Sequence, residues 1–221
     1  MNINLEFKPS TLEHIKTNHT AEICYAVNWL EDKQVLCVTR SGMDLMDNDL
    51  EFKKKIMADD ALDFWSANIV GRKFLTKVSQ RSGEKYITYF GSLEKPTQVV
   101  LYSDGYDDED SVHGVRHPSI NKHYIADIQS TNHTLKIFSS TTEEHLFDIR
   151  LKEFKYPFGT LVTGNAVLVT DVFRNKLCKY ELLPSEEPIW TNDELIHPRG
   201  IAVDEAGVIY IASQSESTAA V

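Results

Sequence analysis

The chain of 221 residues is long enough for one large domain, and its 42% hydrophobic and 10% aromatic residues argue against general disorder. With 23 Lys and Arg against 33 Asp and Glu, the formal net charge is −10, so the average field repels the phosphates of nucleic acids and anionic membranes. Binding of a nucleic acid would therefore need a local basic patch.

The three cysteines, Cys24, Cys37 and Cys178, are too few and too scattered for a disulfide framework. Their odd number leaves at least one thiol free, which fits a reducing compartment. The N-terminus lacks the apolar run of a signal peptide, and the sequence has no apolar stretch long enough to span a membrane as a helix. We therefore predict a cytoplasmic protein.

The predicted elements of the first half are short strands, because apolar, β-branched and aromatic runs alternate with turn residues. After an entry strand within residues 1–20, these runs lie at 23–29, 34–39, 64–70, 73–78 and 85–90. Residues 50–57 have the only apolar spacing that suggests a helix, which would be a connector. The acidic segment 103–112 lacks strand-forming residues and is predicted to be an exposed loop.

A repeat is clearest in the last third of the chain. Pro198-Arg-Gly-Ile-Ala-Val-Asp204 is followed by a turn at Gly207 and the apolar run 208–212. The same order occurs upstream, where Pro157-Phe-Gly precedes strands at 166–171 and 177–182. The two prolines are 41 residues apart, which is a typical period of propeller blades. A looser copy begins at His117-Pro.

These repeats predict an all-β fold, a β-propeller, in which small sheets bury their two faces by stacking around an axis. A β-sandwich is the alternative, but it gives no reason for Pro-x-Gly to recur after 41 residues. We expect one domain over residues 1–221. Its predicted blades lie roughly at 21–60, 61–105, 106–150, 151–192 and, in part, 193–221.

The units that begin at Pro157 and Pro198 resemble NHL repeats, in which Pro-x-Gly opens a strand that ends in Asp. The entry segment Leu5-Glu-Phe-Lys-Pro-Ser10 resembles the stretch before the propeller in tripartite-motif proteins. This resemblance implies a six-bladed propeller, with about five blades present and the C-terminal one truncated. It also implies substrate recruitment or scaffolding in a RING-type ubiquitin ligase.

The same resemblance limits what this chain itself would do. The sequence contains no Cys-x-x-Cys pair and no Cys/His ladder, so RING and B-box zinc modules would lie outside it. Ligase activity is therefore not expected of these residues, and we predict that the chain is not an enzyme. An oligomer could form through a coiled coil that this chain lacks.

One face of the predicted propeller gathers the loops that enter the inner strands and those between second and third strands. It carries an arginine and aromatic set, which suits protein binding or stacking on bases: Arg116, His117, Phe158, Phe173, Arg174 and Arg199. A protein partner is the first hypothesis. RNA on the same face is the alternative that the net charge disfavours, and a metal-dependent propeller hydrolase or lactonase is the third.

Metal and catalytic motifs are weak throughout. His113 and His117 have a zinc-like spacing, but Gly and Pro around them predict a loop rather than the helix that this spacing needs. The acidic run 104–110 lacks the pattern of a calcium-binding loop. The sequence shows no nucleophile elbow and no phosphate-binding loop. No cofactor, metal ligand or catalytic residue is predicted.

Overall fold

The computed structural model describes residues 24–47, 49–82, 85–94, 98–105, 117–129, 132–204 and 206–213. Within these ranges every regular element is a β-strand. None of the described segments forms a helix of the length and apolarity that crossing a membrane requires.

Eighteen strands follow one another within the described ranges. Those of the first half are β1 (Cys24–Trp29), β2 (Val35–Thr39), β3 (Gly42–Met46), β4 (Phe52–Ala58), β5 (Leu62–Val70), β6 (Lys73–Gln80), β7 (Lys85–Ser92) and β8 (Gln98–Gly105). Those of the second half are β9 (Ser119–Ile120), β10 (Tyr124–Gln129), β11 (Thr134–Ser139), β12 (His145–Arg150), β13 (Pro157–Thr163), β14 (Ala166–Asp171), β15 (Lys176–Glu181), β16 (Trp190–Asn192), β17 (Pro198–Val203) and β18 (Ile209–Ser213).

The strands form five antiparallel sheets in chain order. Sheets 1 to 4 each contain four consecutive strands, from β1–β4 to β13–β16, and sheet 5 contains β17 and β18. Neighbouring sheets meet through their first strands, since β1 contacts β5, β5 contacts β9, β9 contacts β13 and β13 contacts β17. These first strands therefore line a common axis, and we call them the inner strands. The predicted all-β propeller is confirmed, whereas the NHL type and the blade number stay predictions.

The core lies between the faces of successive sheets. Leu36, Met43, Phe64 and Phe74 are fully buried between sheets 1 and 2. Between sheets 3 and 4 the corresponding cluster contains Ile128, Leu135, Val167, Val169 and Tyr180. Each sheet is too small to bury both of its faces alone, so the stacking supplies most of the hydrophobic stabilisation.

A buried ion pair joins sheets 2 and 3. Lys77 Nζ on β6 lies 2.8 Å from Asp127 Oδ1 on β10 and also donates to the carbonyl oxygen of Ile128 at 3.2 Å. The Thr88 hydroxyl on β7 donates to the other carboxylate oxygen of Asp127. Both charged side chains are 1% exposed. A pair with this many hydrogen bonds fixes how the two sheets dock, because either charge alone would be costly to bury.

The predicted helix at residues 50–57 is wrong, because this segment contains strand β4. The ammonium groups of Lys53 and Lys55 lie 3.0 Å and 2.9 Å from carboxylate oxygens of Asp47 and Asp44. Ile56 is buried in the core. Cross-strand pairing therefore overrides a short and imperfect helical spacing.

The acidic segment 103–112 differs in part from the predicted exposed loop. Its first three residues, 103–105, belong to strand β8, which pairs with β7 as the outer strand of sheet 2. Residues 106–112 lie outside the described residues.

Candidate functional site

The two Pro-x-Gly segments occupy equivalent places in sheets 4 and 5. Pro157 pairs with Asp171 and Pro198 with Ser213, and in each ladder the register is irregular over the next two residues. Phe158 and Arg199 therefore lie at matching bulges of neighbouring inner strands. The Arg199 guanidinium carbon lies 4.8 Å from the centre of the Phe158 ring, a favourable cation–π distance.

His117 extends this stack from the other side. Its ring centre lies 5.0 Å from that of Phe158, edge to face. Its backbone N–H donates to the Phe158 carbonyl at 2.9 Å, and its own carbonyl accepts from the Thr160 hydroxyl at 2.7 Å. Burial, followed by the positive charges of Lys77 and Arg199, lowers the pKa of His117 to about 4. The imidazole is therefore neutral near pH 7.

A second stack lies at the bulges of the first two inner strands. The ladder is irregular between Cys24 and Ala26 in β1 and between Phe64 and Ser66 in β5. The residues at these bulges, Tyr25 and Trp65, have ring centres 5.3 Å apart. Trp65 Nε1 also donates to the Ser79 hydroxyl at 2.8 Å.

We call the five side chains of these two separate stacks the inner-strand row: Tyr25, Trp65, His117, Phe158 and Arg199. In both stacks, an aromatic ring or a guanidinium group near the start of one inner strand contacts an aromatic ring near the start of the next. Phe158 is only 6% exposed, so it supports Arg199 and His117 rather than offering its own surface. Stacking thus orients the polar groups around it.

Asp171 connects the loop before β13 to the turn after β14. Its buried carboxylate accepts backbone N–H bonds from Lys155 at 2.6 Å, Tyr156 at 3.0 Å, and Phe173 and Arg174 at 3.1 Å each. Such charge-assisted bonds are stronger than neutral ones. One carboxylate therefore holds two surface segments in a fixed relative position.

These two segments form an exposed patch of cations around an aromatic ring, which we call the Phe173 patch: Lys155, Phe173 and Arg174. Lys155 Nζ lies 5.3 Å from the centre of the Phe173 ring. Phe173 is 37% exposed, and Lys155 and Arg174 are exposed. Buried Tyr156 lies behind the patch, with its ring centre 5.3 Å from that of Phe173 and 6.2 Å from that of Phe158.

The structure thus brings together most of the predicted binding face. His117, Phe158 and Arg199 are in one stack. Tyr156 links this stack to Phe173, which precedes Arg174 in the chain. Arg116 lies outside the described residues.

Sequence reasoning missed several members of this surface. Tyr25 and Trp65 carry a usable signal, since each lies near the start of a strand at the position that Phe158 has in its repeat. Lys155 had no such signal, because only the hydrogen bond to Asp171 brings it beside Phe173.

Two further arginines lie at the same end of the sheets. Asp63, at the start of inner strand β5, accepts from Arg40 Nε at 2.9 Å and Arg81 Nε at 2.8 Å. These hydrogen bonds, first from Arg40 and then from Arg81, lower the pKa of Asp63. Two guanidinium groups therefore share one carboxylate at the start of this inner strand.

Among the described residues, no group of three or more His, Cys, Asp or Glu side chains is arranged to hold a metal ion. The acidic run 104–110 and His113 fall mostly outside those residues, so the structure places no ligand set there. The described surface can therefore bind a ligand or partner through aromatic stacking, cation–π contacts and ion pairs.

Comparisons with known proteins support the fold. No family model matches the chain, and no similar curated protein was found. Luciferin-regenerating enzyme has a TM-score of 0.66 and 9% identity, over 90% of this chain and 74% of that one. A chain of a mitotic checkpoint complex has a TM-score of 0.64 and 10% identity, over 87% of this chain and 57% of that one.

BamB from Moraxella catarrhalis has a TM-score of 0.60 and 12% identity, over 85% of this chain. This chain spans 53% of the length of BamB. At such low identities the likeness establishes the fold alone.

The predicted role in a tripartite-motif-like ubiquitin ligase, as a substrate-recruiting or scaffolding part, is wrong. Neither a family model nor a curated protein connects the chain to NHL repeats or tripartite motifs. The similar structures instead include an enzyme, luciferin-regenerating enzyme. The NHL type of the two well-matched repeats stays a prediction, because a likeness to solved structures at such low identity shows the fold alone.

Proposed function

We propose that this propeller binds a protein partner through the Phe173 patch, with Arg199 and His117 at its border. The observation that carries the proposal is an exposed aromatic ring flanked by cations on a backbone that Asp171 holds in place. Aromatic and arginine side chains supply most hot spots of protein interfaces. A fixed backbone lowers the entropic cost of binding.

The charges of the patch favour a partner segment that carries carboxylates beside an apolar side chain. Within the patch, Lys155 and Arg174 contribute two exposed positive charges. Asp171 is fully buried, and its carboxylate accepts hydrogen bonds from four N–H groups. This local excess contrasts with the net charge of −10. Opposite charge at an interface accelerates association and excludes partners of like charge.

The comparisons agree with this proposal at the level of the fold. A similar chain is part of an assembly, the mitotic checkpoint complex. A propeller offers a broad end surface made of loops on rigid sheets, which suits recognition of another protein.

The test uses the full chain immobilised on a resin and a library of acidic peptides with and without an aromatic residue. We expect acidic peptides with an apolar anchor to be retained, less strongly as salt increases. The double variant Phe173→Ala with Arg174→Glu should weaken their Kd at least tenfold, which corresponds to about 1.4 kcal/mol. Titration calorimetry measures the change.

The matched control is Phe52→Ala with Lys122→Glu. Phe52 is 59% exposed and Lys122 is exposed on the turn after β9, so this variant removes a phenyl ring and reverses one positive charge outside the patch. Its Kd should match that of the unmodified chain. Glu153→Lys removes an exposed acid two residues from Lys155 and should strengthen binding. Equal losses in the patch and control variants would refute the site.

A further inference from the structure

Two thiols of sheet 1 lie in direct contact. Cys24 on β1 and Cys37 on β2 are both free cysteines, and their Sγ atoms are 2.9 Å apart. The sulfurs of a disulfide are about 2.05 Å apart. A shift of roughly 1 Å between the two side chains would therefore bring them to bonding distance.

The bulge in β1 is what places the two thiols on one face of the sheet. Val27 pairs with Cys37 and Ala26 with Val38, but Cys24 rather than Tyr25 pairs with Thr39. In a regular ladder Cys24 would lie one position further along and on the opposite face from Cys37, because side chains alternate. The extra residue of the bulge turns the Cys24 side chain to the same face of the sheet as Cys37. The two cysteines are therefore diagonal neighbours on adjacent strands.

We propose that Cys24 and Cys37 are a reversible disulfide site that staples inner strand β1 to β2 when the chain meets a small oxidising disulfide such as glutathione disulfide. The thiolate of Cys24 attacks one sulfur of glutathione disulfide, which forms a mixed disulfide and releases one glutathione thiolate. The thiolate of Cys37 then attacks the Cys24 sulfur and releases the second. Two protein thiols are oxidised, one glutathione disulfide is reduced to two glutathiones, and these take up both protons.

Accessibility sets the order of the two steps. Cys24 is partly exposed, whereas Cys37 is 8% exposed. Burial, and then the hydrogen bond with Cys24, raises the pKa of Cys37 to about 12. The thiolate is the attacking form, so Cys24 meets the external disulfide first and Cys37 completes the bond from within.

The disulfide would restrain one member of the inner-strand row, Tyr25. Tyr25, the bulged residue next to Cys24, carries the ring that stacks on Trp65. A bond from Cys24 to Cys37 would hold that bulge and restrict local opening of β1. This site lies in sheet 1 and the Phe173 patch in sheet 4, so the inference is independent of the proposed function.

The test uses the full chain with Cys178→Ser, incubated with excess glutathione disulfide. Cys178 is buried beside Thr191, with Sγ 3.6 Å from the hydroxyl oxygen, and its replacement leaves the pair as the sole thiols. We expect a mass loss of about 2 Da from two hydrogens and one Cys24 to Cys37 linkage in the peptide map. The Tm should rise by about 5 °C and return after reduction.

Single variants give the controls. With Cys37→Ser, Cys24 should keep a glutathione adduct, and with Cys24→Ser, Cys37 should stay free over the same time. The unmodified chain carries no substitution that could disturb folding. It should lose two of its three thiols and keep Cys178 reduced. A stable adduct at Cys24 beside a free Cys37, linkage only between chains, or a Tm that does not rise would each overturn the proposal.

Discussion

At the scale of single residues, His117 links the protonation state of the molecule to its stability. Its pKa falls from 6.5 to about 4 because the ring is buried and faces the positive charges of Lys77 and Arg199. In the unfolded chain the same imidazole regains its ordinary pKa. Between these two values the unfolded chain binds a proton that the folded chain does not, so stability decreases as the pH falls through this window.

We predict that His117→Gln removes the contribution of this imidazole to the pH dependence of the free energy of unfolding. From pH 6.5 to pH 4 the unmodified chain should lose up to about 3 kcal/mol of unfolding free energy relative to the variant. Urea unfolding at pH 7, 5.5 and 4.5 measures the difference, and the backbone N–H bond to Phe158 is kept in both proteins. Parallel pH profiles would contradict the assignment.

Two aspartates show what residue-level sequence reasoning can and cannot reach. Asp127 and Asp171 both follow apolar runs in related repeats, which correctly predicts that each belongs to a strand. Their roles differ, since Asp127 binds Lys77 on another sheet and Asp171 binds four nearby N–H groups. Lys77 lies 50 residues from Asp127 in the sequence, so only the folded structure shows that the two form a pair.

At the scale of elements, the docking of β13 on β17 requires that residue 159 is a glycine, which has no side chain. A Cβ on Gly159 would lie 2.1 Å from the Arg199 carbonyl oxygen and 2.9 Å from Thr170 Oγ1. The Thr170 hydroxyl donates to this carbonyl at 2.9 Å. The two inner strands therefore approach as closely as the backbone allows.

We predict that Gly159→Ala lowers the free energy of unfolding by about 1–3 kcal/mol, because the added methyl group forces the two strands apart. Gly200→Ala is the matched control, since Gly200 has the equivalent place in sheet 5 and its Cβ would meet only Ala212 Cβ at 3.5 Å. The control should change stability by under about 0.5 kcal/mol. Urea unfolding compares the two, and equal effects would refute a special requirement at Gly159.

The strand prediction is correct for the fully buried run of β14 and wrong for β4, where ion pairs replace apolar contacts. The run Ala166–Asp171 is fully buried and matches β14. Strand β4 instead exposes most of its residues and is tied to β3 and the following turn by lysine to aspartate pairs. Those pairs cross strands and have no periodicity within the segment, so local spacing suggested a helix.

At the scale of the whole molecule, burial is uneven from sheet to sheet. Strand β14 is buried at all six positions, whereas no residue of β18 is fully buried and Tyr210 is 47% exposed. In a stacked repeat each sheet gains stability from its neighbours. Sheet 5 packs on sheet 4 through β17, so its opening should cost less free energy than that of sheet 4.

Hydrogen exchange should therefore separate two hairpins that begin with the same Pro-x-Gly pattern. Amides of β17 and β18, such as Ile201 and Ile211, are paired in register, as are Val162 and Val167 of β13 and β14. We expect exchange in β17 and β18 to be at least about tenfold faster, corresponding to about 1.4 kcal/mol less opening free energy. Equal protection would show that the described sheets open together as one cooperative unit.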